Sequence, residues 1–254
     1  MDQPPLITSA PATPGPRRGL RVTTLMAVVL VVGGLLGLSA RALWQAREAA
    51  RDAGCGWNLK QIGIALQNYH EVNGCFPPAY LADSTGKPMH SWRILILPYL
   101  ESSSTYGAYN FAEPWDGPRN RRFLDRRPSS YRCPSQGARP LLTSYVMIVG
   151  PGTISPGASS RSLGDVRDGA GRTILVAEVA NLDIPWTEPR DLDARAMSWA
   201  IDDPSRPSLS SPHGTGPGAV FADGTFRRLG GIRLWPDRLR ALTTIAGGEP
   251  DPPR

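Results

Sequence analysis

Three histidines, three cysteines and a scatter of carboxylates are the residues of this chain best suited to chemistry. His70, His90 and His213 stand far apart. None sits in an H-E-x-x-H array, which would put two imidazoles on one helical face around zinc. Cys55, Cys75 and Cys133 include no C-x-x-C pair, which argues against a zinc knuckle. Serines crowd Ser208–Ser211, but there is no G-x-S-x-G elbow, no P-loop and no dinucleotide fingerprint. The constellation best placed to form a site is His213 with Asp223, and Glu178 as a further member, because hairpin tips and glycine-rich loops gather such groups. A plainer role for His213, tying down a Gly/Pro loop by hydrogen bonds, is preferred. The sequence thus assigns no catalytic, cofactor-binding or metal-ligating residue, and the expectation is a protein that is not an enzyme and takes no cofactor. Three cysteines permit one disulfide with one thiol over. A bridge involving Cys133, in the turn-like Cys133-Pro134-Ser135, is expected, with either of the others as its partner.

The element that places everything else is Val22–Ala40 (VTTLMAVVLVVGGLLGLSA), nineteen residues without a charge. As a helix it reaches roughly 28 Å, close to the ~30 Å hydrocarbon core of a bilayer. It reads as one membrane-spanning helix with lipid as its partner, since backbone in lipid must satisfy its own hydrogen bonds. A cleaved secretory signal is the competing reading, with Gly37-Leu38-Ser39-Ala40 as the cleavage site. The length of the run, and the helical sequence beyond it, favour a retained anchor. Arg17, Arg18 and Arg21 precede the span without an acidic neighbour, whereas Arg41, Arg47 and Arg51 follow it mixed with Glu48 and Asp52. That bias puts the N-terminus in the cytoplasm and the body outside. Outside the cytoplasm a disulfide is permitted.

Beyond the span, Ala42–Ala53 is built of strong helix formers. Gly54 and Gly56 weaken the helix locally. Trp57–His70 resumes it with Leu59, Ile62, Leu66 and Tyr69 on one apolar stripe, so this half lies on a domain. Gly74 and Pro77-Pro78 end it. His90–Glu101 is a short helix or a buried strand, which periodicity alone does not separate. Leu141–Val149 and Thr173–Val179 are strand-like. In Ala219–Leu229 two apolar arms flank Asp223-Gly224, the dipeptide of a two-residue type I′ hairpin. A long helix followed by strands gives an α+β fold with a small antiparallel sheet.

The net charge of +6 comes almost wholly from arginine, since Lys60 and Lys87 are the only lysines. The densest cluster, Arg119–Arg127, reads as a solvated loop before it reads as an anion-binding surface. No aromatic residues interleave it at a spacing that suits base stacking, so nucleic acid is not an expected partner. Six of the seven tryptophans (Trp57, Trp92, Trp115, Trp186, Trp199 and Trp235) are expected to pack core and loops, with an exposed subset able to stack on sugars.

A set of motifs adds to this. Ala46–Arg51, Asn58–Tyr69, Phe76-Pro77-Pro78, Ser91-Trp92-Arg93, Glu113-Pro114-Trp115-Asp116, Cys133-Pro134-Ser135, Val149–Thr153, Pro185–Pro189 and Phe221–Thr225, in that order, resemble the bacterial pilin-like proteins of domain-of-unknown-function family 1559. His213-Gly214 through Asp223-Gly224 resembles that family's C-terminal signature. The resemblance, to type IV pilins and type II secretion pseudopilins at one remove, implies an envelope protein. Its partners would be envelope proteins or further copies of itself. It also implies a prepilin cleavage signal, but only Gly19 and its basic flank match. Leu20 stands for the Phe, and Thr24 for the Glu that meets a neighbour's amine in a pilus. That departure favours a permanent anchor over processing and filament assembly. The expected plan is a disordered cytoplasmic tail (1–21), the span (22–40), a periplasmic pilin-like α+β domain (41–246) and a disordered end (247–254), held in the bacterial inner membrane. The expected role is structural or interactive. A ligand-binding or hydrolytic domain on the same scaffold is the alternative, and a cleft gathering His213, Asp168, Glu178 or Asp223 would favour it.

Overall fold

A computed structural model describes residues 18–100, 102–137, 140–230 and 236–248. Trp235, the tail up to Arg17 and the end from residue 249 lie outside the described residues. The fold is α+β. Helix α1, Arg18–Asn73, opens four residues before the expected span and runs unbroken through Gly54-Cys55-Gly56, where a local weakening was expected. The chain divides into two units, Met1–Arg47 and Glu48–Arg254.

In the first unit, the described side chains of α1 are exposed, and those of Leu25–Leu38 are all apolar, with Leu25 at 65%, Leu30 at 73% and Leu38 at 67%. Within α1 an eighteen-residue window has a mean hydropathy of 2.0, so the helix is long and apolar enough to cross a membrane.

The second unit is built on a four-stranded antiparallel sheet. Strands β1 (Tyr80–Ala82) and β2 (Pro88–Ser91) form a separate hairpin. Ser91 then caps a one-turn helix, α2 (Trp92–Leu95), so His90–Leu100 is a strand end followed by helical turns, and Glu101 lies outside the described residues. Leu141–Val149 holds two short strands, β3 (Tyr145–Val146) and β4 (Ile148–Val149). β5 (Ile174–Glu178), β6 (Leu192–Asp193), β7 (Gly218–Phe221) and β8 (Phe226–Arg228) follow. The main sheet has the order β3-β5-β7-β8, and β4 pairs in parallel with β6 beside it.

Side chains on a strand alternate between faces, and the two faces bury two cores. Tyr145, Val176 and Val220 point toward Leu59, Ile62 and Leu66 of α1, so the apolar stripe packs where its spacing directs. Val146, Ala177, Ala219 and Phe221 point the other way, onto Ile184, Leu192, Met197, Leu209 and Leu239. Close approach of helix and sheet depends on Gly63, because a Cβ there would lie 2.8 Å from Val220. Gly74, at φ +73°, ends α1 with its N–H on the His70 carbonyl at 2.8 Å. Trp92 and Trp186 are buried as expected, whereas Trp57 is 61% exposed.

The Asp223-Gly224 hairpin forms, with a different loop. Asp223 is not left-handed; only Gly224 is, at φ +82°. Gly224 N–H donates to the Phe221 carbonyl and Phe221 N–H to the Thr225 carbonyl, which closes a three-residue loop in place of the expected two-residue type I′ turn. Neighbouring groups select it. Ala222 N–H reaches the Thr173 carbonyl, Gln67 donates to the Ala222 carbonyl, and Asp223 Oδ1 accepts from Thr225 N–H at 2.9 Å.

Candidate functional site

Four side chains from four segments meet in the interior of the second unit: Cys55, Cys133, Glu178 and His213. One ligating atom from each lies within 4.8 Å of every other. Cys55 enters from α1 because it stands one turn before Leu59 on the buried stripe. Cys133 follows the helical turn Ser129–Tyr131, with its N–H on Ser144 Oγ at 2.8 Å. Glu178 is the last residue of β5, opposite Tyr145 in the ladder. His213 sits in the loop before β7, and its N–H reaches Ser211 Oγ. Cys55, Cys133 and Glu178 are fully buried and His213 is 5% exposed.

The contacts form a directed chain. Cys55 Sγ donates to Glu178 Oε1 at 2.9 Å and lies 3.1 Å from the Tyr145 hydroxyl. Cys133 Sγ lies 3.1 Å from His213 Nε2. His213 Nδ1 faces Glu48 Oε1 at 2.8 Å, and Ser135 also bonds Glu48. The second oxygen of Glu178, Oε2, accepts from Ser211 Oγ, Gly218 N–H and Arg228 Nη1 at 2.8–3.1 Å. Arg228 in turn holds Asp52. A buried carboxylate is costly unless paired and hydrogen-bonded, and here both conditions are met.

These contacts set the proton affinities. The hydrogen bond with Cys133, then burial, then the charge of Glu178 push the Cys55 thiol up. The bond from Cys55 pulls Cys133 down, against burial. Burial alone would lower His213, but the charge of Cys133 and hydrogen bonds to Cys133 and Glu48 raise it. Glu48 is lowered, chiefly by its bond from His213.

Cys133, His213 and Glu48 stand in the order nucleophile, base and orienting group. A nucleophile must reach its substrate, however, and Cys133 Sγ is closed in by His213 and Cys55 with no exposed surface. Of the residues singled out in the sequence, the structure brings His213 and Glu178 together and leaves Asp223 and Asp168 elsewhere. Asp223 holds the hairpin tip through Thr225, and Asp168 holds Gly247 N–H at 2.7 Å. Three clefts of the second unit, about 310 Å³ beside Gln61 and Tyr99, about 360 Å³ beside Lys60 and Phe226 and about 550 Å³ beside Trp199 and Arg240, have none of the four candidates in their lining. The sequence offers Cys55 and Cys133 as disulfide partners, and the absence of a C-x-x-C pair argues there against a zinc knuckle. They do face each other, but all three cysteines are free thiols, and Cys75 lies apart with its thiol toward the Asn73 carbonyl.

Residues 44–161 match the model of a family described as "Protein of unknown function (DUF1559)". The match supports the family that the motifs resemble. It takes in Cys55 and Cys133 and stops before Glu178 and His213. No curated protein and no solved structure gave a match.

Proposed function

We propose that this chain is a pilin-like envelope protein, held in the bacterial inner membrane by a permanent single-pass helix, with a structural or interaction role and no catalysis of its own. Its N-terminus is cytoplasmic and the domain from Glu48 onward periplasmic, following the arginine bias before the span. The observation that carries the proposal is the composition of α1: a first part apolar and exposed on every described face, and a second part that supplies one wall of a folded core. Exposed apolar surface on this scale has lipid or protein as its natural partner. Burial of the Cys55–Cys133–Glu178–His213 cluster favours the structural role over the hydrolytic alternative, because a reacting group has to meet its substrate.

The test uses the full chain in a bacterial host. It stays in the pellet after an alkaline carbonate wash, protease added to spheroplasts degrades the domain, and intact mass shows an uncut N-terminus. Release by carbonate overturns the anchor. Protection of the domain overturns the orientation. A mature form beginning at N-methylated Leu20 overturns the permanent anchor in favour of a processed pilin.

A further inference from the structure

We propose that Cys55, Cys133, Glu178 and His213 bind one zinc ion as a closed structural centre. Four protein ligands of the type Cys₂HisGlu satisfy a tetrahedral ion without an open position for water or substrate, which distinguishes structural zinc from catalytic zinc. With bonds of about 2.0–2.3 Å, a tetrahedron puts ligand atoms roughly 3.5 Å apart. The closest pairs here stand at 2.9 and 3.1 Å and all fall within 4.8 Å, so shifts of a few tenths of an ångström to about one ångström seat the ion.

The surroundings argue for a metal over a chance cluster. A zinc-bound histidine gives its other ring N–H to a carboxylate, which fixes the tautomer. His213 Nδ1 meets Glu48 Oε1 at 2.8 Å while Nε2 points into the cluster. A ligating carboxylate is likewise held by its other oxygen, and Glu178 has three donors on Oε2 with Oε1 turned inward. Two thiolates and one carboxylate around Zn²⁺ leave a single negative charge, and Arg228 stands against it. Soft thiolate ligands with imidazole in a tetrahedral array suit zinc over magnesium or calcium. Binding releases the two thiol protons to solvent, and no electron moves. The ion joins α1, the Cys133 loop, β5 and the loop before β7, whose ligands lie up to 158 residues apart in sequence, from Cys55 to His213. A disulfide between Cys55 and Cys133 is the competing use of the same two thiols.

The full chain, purified in detergent without chelator, is assayed for metal by mass spectrometry and for thiols by mass after alkylation. Expected are about one zinc per chain and, on exchange with Co²⁺, the visible absorption of a tetrahedral thiolate site. C75S keeps the zinc, C133S loses it, and E48Q, which spares all four ligands, weakens it about 10–100-fold in competition with a chelator. A metal-free chain with both thiols open to alkylation overturns the proposal, as does a metal-free chain with Cys55 and Cys133 joined in a disulfide. Should C133S fail to fold, the zinc content of the unaltered chain and of E48Q still decides.

Discussion

Removing the Arg93 guanidinium should cost this domain a large part of its stability. Arg93 and Asp191 are both buried and joined at 2.6 Å. Nε and Nη2 of Arg93 also reach the Tyr145 carbonyl at 3.2 and 2.9 Å, and Nη1 reaches Ser91 Oγ at 2.9 Å. Asp191 Oδ1 further accepts from Met147 N–H at 2.9 Å and Trp92 Nε1 at 3.1 Å, while Oδ2 has no partner among the described residues. Burial holds the Asp191 carboxyl above its usual range, even with Arg93 lowering it. The pair therefore knits β2, α2, β3 and the start of β6 together, yet Asp191 depends on its cation to stay charged. Arg93→Met keeps the aliphatic bulk and leaves a buried carboxylate alone, a change worth about 3–5 kcal/mol. Set against a typical total of about 5–15 kcal/mol, that is from about a fifth of the stability to nearly all of it. Urea unfolding of the full chain in mild detergent, followed by the fluorescence of buried Trp92 and Trp186, measures it. The deficit should narrow as the pH falls, because a carboxyl whose folded pKa is raised binds its proton more readily in the native state than in the unfolded one. R93M/D191N should regain at least about 1–2 kcal/mol over R93M, since Asn still accepts from Met147 and Trp92 while the stranded charge is gone. A loss below about 1 kcal/mol for R93M, or a double variant no better than the single, would refute the reasoning.

Two further outcomes follow from backbone geometry. Gly224→Val should lose about 1–3 kcal/mol, because φ +82° strains a β-branched residue, while Asp223→Asn stays near neutral since its oxygen still accepts from Thr225; an unshifted melt for the valine variant would count against the loop described. Gly63→Ala should cost about 1–3 kcal/mol through its contact with Val220, and the same change in a Val220→Ala background should cost little; equal losses in both backgrounds would exclude that contact as the cause.

Periodicity and chain-ending signals were readable where no distant group competed with them. The stripe Leu59, Ile62, Leu66 names the face of α1 that meets the sheet, and Gly74 names its end. Where the sequence misled, the competing force was tertiary. Gly54 and Gly56 are poor helix residues in isolation, yet α1 passes through both, with Gly56 leaving room for the Phe226 ring and a Cβ at Gly54 standing 3.4 Å from the Pro134 ring. Asp223-Gly224 favours a type I′ turn in isolation, yet Thr173 and Gln67 capture the backbone of Ala222 and extend the loop by one residue.

The candidate site shows the same limit more sharply. No local spacing announces four ligands when Cys55 pairs with a glutamate 123 positions away and Cys133 with a histidine 80 positions away. The signal lay in combining separate hints. Cys55 stands one helical turn before Leu59, so the buried stripe extends back to include it. Cys133 and His213 sit in the motifs Cys133-Pro134-Ser135 and His213-Gly214, and Glu178 ends a strand buried along its whole length. A buried acid, a histidine in a fixed loop and two cysteines each require a partner for their polar or ionisable atoms, since an unpaired group in a dry interior costs about 1–3 kcal/mol. Placing them together satisfies all four demands at once. The Glu48 bond to His213 and the Arg228 bond to Glu178 then supply the outer polar contacts, which a purely apolar core would have no use for.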